Sequence, residues 1–159
     1  MKANFLISAV FITFAAVAGA AGGADSGPAI PDAPKDATLE RARAAIAQSD
    51  WKGAQAILAG AVSSSPRNAD YHNLYAYSVR KGPSPDMSLV FKEYNAALAI
   101  DPQHKDAHEY LGEAYLMVGN VAKAKEHLAQ LDKLCFFSCS QYTELKKAIA
   151  DYETKQAAR

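Results

Sequence analysis

Two cysteines and four histidines are the residues of this chain whose side chains could carry chemistry. Cys135 and Cys139 are the only cysteines, at C-x3-C spacing in Leu134-Cys-Phe-Phe-Ser-Cys139. In an oxidising compartment such a pair closes a short disulfide; as free thiols it could act in redox exchange or supply two metal ligands. Active dithiols usually have two intervening residues, and two lone thiols do not complete a four-ligand zinc shell. His104 and His108 are four apart with Asp101 and Asp106 close by, so two imidazoles could share one side of a helix start and hold a transition metal. The competing reading places His108, and His72 before it, in inward-packing positions, His104 in a turn, and His127 at the surface of another helix.

No catalytic set accompanies them. The chain has no Gly-rich phosphate loop after a strand, no nucleophile elbow and no His-Glu-x-x-His motif. Glu109 and Glu113 have the i, i+4 spacing of a solvated helix face, which acidic pairs form far more often than an acid and base. The expectation is therefore a protein that is not an enzyme, with no catalytic residue, no cofactor and no bound metal. With 17 basic and 17 acidic residues and no basic stripe, nucleic acid is not an expected partner.

The elements that would position these residues are helical and repeated. His108, Leu111-Gly112, Tyr115, Ala124, Leu128 and Leu131 have the spacing of two antiparallel helices that approach closely where Gly112 and Ala124 are small. Gly119-Asn120 tolerate the left-handed backbone of the turn between those helices. A second copy holds His72, Tyr75-Ala76 and Val79, then Val90, Tyr94 and Ala97, and closes at Pro102. A weaker copy holds Ala54, Leu58 and Ala61 before Pro66, but carries Thr38 and Arg41 where bulky apolar groups are expected, as suits a terminal repeat. Pro66 and Pro102 lie 36 residues apart, and the excess over a period of about 34 falls at Lys81-Gly-Pro83-Ser-Pro85-Asp86, where two prolines enlarge one turn.

These motifs resemble exported bacterial tetratricopeptide-repeat proteins over about residues 36–150, and the tail around Cys135, Cys139, Tyr142 and Leu145 is similar to that of small uncharacterised members. The fold implied is an all-α helical solenoid. Its repeats span about 36–68, 69–104 and 105–137, followed by a capping helix at about 140–155. The resemblance implies a right-handed superhelix whose concave face, lined by first helices, binds an extended or helical segment of another protein. Family ligand-facing slots fall on Asp70, Asn73, Tyr77, Arg80 and Lys81, and on Asp106, Glu109, Glu113, Leu116 and Met117. A well-known subset clamps a C-terminal carboxylate; Asn73 matches one of its slots, but the paired Lys and Arg of the other helices do not.

The start of the chain reads differently. Met1-Lys2, the apolar run Phe5 to Ala18 and Ala-Gly-Ala20 form a signal peptide over 1–20, cut after Ala20 or, as the next choice, Ala24. An uncleaved inner-membrane anchor is the alternative, because the run from Ala3 to Ala21 is nearly long enough to span a bilayer. Residues 21–35, with Pro28, Pro31 and Pro34, read as a flexible spacer. Export to the periplasm or beyond allows Cys135 and Cys139 to form a disulfide that closes the turn before the capping helix. The function expected is a protein-binding module or assembly adaptor of the cell envelope; the alternative is a periplasmic thiol-redox or metal protein using the cysteine pair.

Overall fold

A computed structural model describes residues 35–158 apart from residue 138. The expected signal peptide and nearly all of the expected spacer lie outside the described residues. Seven helices follow in order: α1 (Ala37–Ala47), α2 (Trp51–Ser64), α3 (Ala69–Lys81), α4 (Met87–Ile100), α5 (Lys105–Met117), α6 (Val121–Leu134) and α7 (Ser140–Ala157). The first six form three helical hairpins, and α7 runs slightly beyond the capping helix expected at 140–155.

Local chemistry explains where the first six helices begin. Asp36, Asp50, Asn68, Asp86 and Asn120 precede α1, α2, α3, α4 and α6, and each side chain accepts an N–H from the first turn, supplying a partner the helix itself cannot. His104 does the same for α5 with its ring, accepting from the Ala107 N–H at 3.3 Å. Between hairpin arms the left-handed backbone falls on Ser49 (φ 58°) and Gly119 (φ 78°), the second residue past the end of α1 and of α5 respectively. Asn120 does not share that conformation: its φ is −92°, and it serves as the cap of α6 instead. The connection from α3 to α4 runs from Gly82 to Asp86, longer than its counterparts, where Pro83 and Pro85 deny helix.

Packing divides into three apolar clusters, each made by one hairpin and the first helix of the next. Leu39, Ala42, Ala54, Leu58, Ala61 and Tyr71 join α1, α2 and α3. Ala76, Val79, Val90, Tyr94, Leu111 and Ala114 join α3, α4 and α5. Leu116, Ala124, Leu131, Leu145 and Ile149 join α5, α6 and α7. The third hairpin thus has a closed core only because α7 supplies Leu145 and Ile149. Gly112 permits that closure: a Cβ there would stand 2.6 Å from Cδ2 of Leu145. In the first hairpin the inward residues are Leu39 and Ala42, while Thr38 is half-buried and Arg41 exposed. The α1 register therefore reaches its core through neighbours of the two positions flagged in the sequence.

The first helices α1, α3, α5 and α7 touch in succession, and each second helix lies against the first helices on either side of it. This is a two-layer stack that grows in one direction. No helix among the described residues is long and apolar enough to cross a membrane.

Candidate functional site

The histidines stitch the stack together. His72 Nε2 donates to the Pro66 carbonyl and His108 Nε2 to the Pro102 carbonyl, each at 3.0 Å, so each ties the start of a first helix to the turn that closed the previous repeat. Their Nδ1 atoms meet equivalent positions on the following second helix, Glu93 at 2.6 Å and His127 at 3.0 Å. A carbonyl only accepts, so the neutral His108 ring presents a bare Nδ1, and the proton between the two histidines belongs to His127. His127 is therefore not the surface residue expected: it is half-buried, stacked on Tyr115 with centroids 5.7 Å apart. Burial, followed by the neighbouring His108, lowers its pKa to about 4.

Three aspartates at equivalent places form a second set of ties. Asp36 accepts from the Tyr71 hydroxyl (2.7 Å), Asp70 from His104 Nε2 (3.2 Å) and Asp106 from the Gln141 amide (2.7 Å), joining each first helix to the start of the next. The Tyr71 hydrogen bond and then the Leu39 amide hold the Asp36 carboxyl below its usual range. A cleft of about 420 Å³ opens between Asp70, Asp101, Lys105 and Gln141. Both ring nitrogens of His104 and of His108 are engaged in separate contacts. No group of three or more His, Cys, Asp or Glu is placed to hold an ion among the described residues.

The groove residues named from the family slots divide sharply. Lys81 and Met117 are exposed and Tyr77 and Glu113 half-buried, whereas Asn73, Arg80, Glu109 and Leu116 are buried. Arg80 is not a free donor for a ligand. Its Nη1 donates to Glu113 at 2.8 Å, its Nε to the Tyr94 hydroxyl at 3.2 Å, and its guanidinium lies 5.5 and 5.6 Å from the Tyr77 and Tyr110 ring centres. That places it as a structural bracket between α3, α4 and α5, with the two neighbouring rings on one side of it compensating lost water. Nη2 of Arg80 and Oδ1 of Asn73 are buried without a partner among the described residues. The Tyr77 ring is also held, against Trp51 at 6.3 Å and Tyr110 at 4.8 Å.

Glu109 is different in kind. It is 9% exposed, and it makes no hydrogen bond or ion pair among the described residues. Burial, then the like charges of Glu113, Asp106 and Glu144, raise its pKa to about 7, with Arg80 opposing weakly. Further along α5, Leu116, Met117, Ala148 and Tyr152, with Asp151 and Lys155 at the edge, frame a cleft of about 340 Å³ against α7.

The cysteine pair lies at the far end of the third hairpin. Cys135 and Cys139 are joined as a disulfide, with Cα atoms 5.7 Å apart, and bridge the turn between α6 and α7. Phe136 and Phe137 within it are 96% and 91% exposed.

This geometry is that of an all-α tetratricopeptide-repeat solenoid: antiparallel hairpins stacked in two layers, with small residues at the crossings and a terminal helix closing the last core. Residues 91–149 match a tetratricopeptide-repeat family, TPR_19. The first TPR domain of the human RPAP3 protein, solved by NMR, superposes with a TM-score of 0.62 at 15% sequence identity, over 74% of this chain and 93% of that one. At that identity the likeness is one of fold. No curated protein matches the chain. The tetratricopeptide scaffold generally mediates protein–protein interaction and is typically non-catalytic.

Proposed function

We propose that this chain is a non-catalytic interaction module that holds a segment of another protein along the layer of first helices. The observation carrying the reading is the side-chain arrangement of that layer. Buried Arg80, Tyr94 and the His and Asp ties fix α3, α5 and α7 rigidly, while Lys81, Tyr77, Glu113 and Met117 keep faces toward solvent along the same helices. A fixed scaffold presenting an aromatic edge, charges of both signs and an apolar residue suits capture of an extended segment, because little ordering is required on binding.

The setting proposed is the cell envelope. Residues 1–20 have the composition of a signal peptide, with an uncleaved inner-membrane anchor as the alternative, and a disulfide at Cys135–Cys139 suits an oxidising compartment. The test is affinity capture from the envelope fraction of the source cells with three versions of the chain: wild type, Lys81→Glu with Met117→Arg, and Lys92→Glu on the opposite layer. A partner retained by wild type and Lys92→Glu but lost by the double variant supports the groove. Equal retention by all three contradicts it.

A further inference from the structure

We infer that the groove between α5 and α7 takes an extended protein segment that seats a lysine or arginine side chain against Glu109 and, about three residues away, an apolar side chain in the cleft beside Met117. The inference rests on the reading of the first-helix layer as the partner site and states what that partner must carry.

Two independent features point to it. The first is the carboxylate of Glu109, nine-tenths buried and unpartnered among the described residues. A protein interior usually supplies a buried carboxylate with a donor or a cation, and here the surroundings do the opposite. Glu113 and Asp106 on its own helix and Glu144 on α7 all add negative charge around it. Among the described residues the cation that acts on it is Arg80 on α3, which is already bonded to Glu113 at 2.8 Å. A basic side chain from outside would neutralise several carboxylates at once, in a partly desolvated place where that attraction is strong.

The second feature is the cleft where Leu116, Met117, Ala148 and Tyr152 offer apolar surface edged by Asp151 and Lys155, with Met117 itself 52% exposed. Glu109 and Leu116 are seven residues apart on α5, and Glu144 and Ala148 continue the same stripe on α7. Seven helical residues rise about 10 Å. An extended segment covers that distance in about three residues, so the acidic and apolar ends of the groove read a basic and an apolar side chain at that spacing. This differs from the carboxylate-binding mode implied for some relatives, which would need cations where this chain has Glu109 and Glu113.

Charge complementarity also couples binding to protons. Free Glu109 titrates near 7, and a bound cation holds it ionised. Binding therefore strengthens as pH rises, by about tenfold between pH 6 and pH 8 if the bound carboxyl returns to its usual range.

The experiment uses the full chain and dye-labelled octapeptides read by fluorescence anisotropy, to a ceiling of 1 mM protein. One peptide is Gly-Ser-Arg-Gly-Ser-Leu-Gly-Ser; one replaces its arginine by glutamate; one places arginine and leucine side by side. The inference expects the first to bind at least tenfold more tightly than the other two, to lose about tenfold in Glu109→Gln, and to weaken about tenfold from pH 8 to pH 6. In parallel, carboxyl-carbon NMR of Glu109 should show its titration moving down when the first peptide is present. Equal affinity for the arginine and glutamate peptides, no effect of Glu109→Gln, or no binding of any peptide overturns the inference. None of these outcomes touches the capture result at Lys81 and Met117, which judges the groove itself.

Discussion

Lowering the pH should destabilise this protein through one side chain, His127, in a window set by its surroundings. In the folded chain its Nδ1 donates to His108 at 3.0 Å, because His108 has committed its own proton to the Pro102 carbonyl. A second proton on His127 must enter a half-buried ring stacked on Tyr115, and a proton on His108 as well would set two donors against each other. The folded-state pKa near 4 lies below the usual 6.5, so the native state resists protonation. Its stabilising contribution is fully present above pH 6.5 and is lost as pH falls toward 4. At 1.36 kcal/mol per pH unit the ceiling is about 3.4 kcal/mol. The ring is only half-buried, and halving for that solvation leaves about 1.7 kcal/mol, about 1.5 of it between pH 7.5 and pH 4.5. The assay is urea unfolding of wild type and His127→Gln at pH 7.5 and pH 4.5. Glutamine keeps a donor toward His108 but does not titrate, so wild type should lose about 1.5 kcal/mol more than the variant over that interval. Equal losses would refute the assignment of the proton and the burial argument together.

Four further outcomes are expected. Arg80→Met should lower stability by about 3 kcal/mol in chemical unfolding, since Glu113 and the Tyr94 hydroxyl lose a buried partner. Gly112→Ala should cost about 1–2 kcal/mol because its Cβ meets Leu145, yet in a Leu145→Ala background the same change should stabilise by up to about 1 kcal/mol through helix propensity; additive effects would exclude the clash. Glu109→Gln should stabilise the chain by about 1 kcal/mol at pH 8, after discounting for its water contact, and leave it unchanged at pH 4, because a raised carboxyl pKa costs stability only once the group ionises. Replacing Cys135 and Cys139 together by serine should cost up to about 2 kcal/mol and speed amide exchange in the first turns of α7, which has no side-chain cap of its own.

The parts of the fold that were legible in the sequence are those written as size at helical spacing. Gly112 and Ala124 mark a helix crossing because only small side chains fit there, and Leu111, Tyr94 and Leu58 fill the spaces around such crossings wherever the repeat recurs. The terminal helix was visible for the same reason, through Leu145 and Ile149. The groove was less legible, because a polar side chain on a helix reads as solvated until its neighbours are known. Arg80 and Asn73 occupy outward slots by periodicity yet are buried, and Tyr94 of α4 and Glu113 of α5 reach Arg80 from other helices. Nothing local marks that burial.

Some of what was missed did leave a signal across repeats. Asp36, Asp70 and Asp106 recur at one repeat position, and their partners lie 34 or 35 residues on, so aligning the copies would have exposed the ladder of ties. Glu93 and His127 likewise share a position, each facing a histidine of the preceding helix. An acidic residue in the middle copy matched by a histidine in the last, each one hairpin arm on from a histidine, was the hint the sequence offered that this position meets a partner.

Site-specific photo-cross-linking tests the account's central claim most directly. A benzophenone side chain would be placed singly at Lys81, at Met117 and, on the other layer, at Lys92, in the full chain within its own cells. The account predicts the same cross-linked partner from Lys81 and Met117 and none from Lys92. A partner captured from Lys92 alone, or no partner from either groove position, would contradict it.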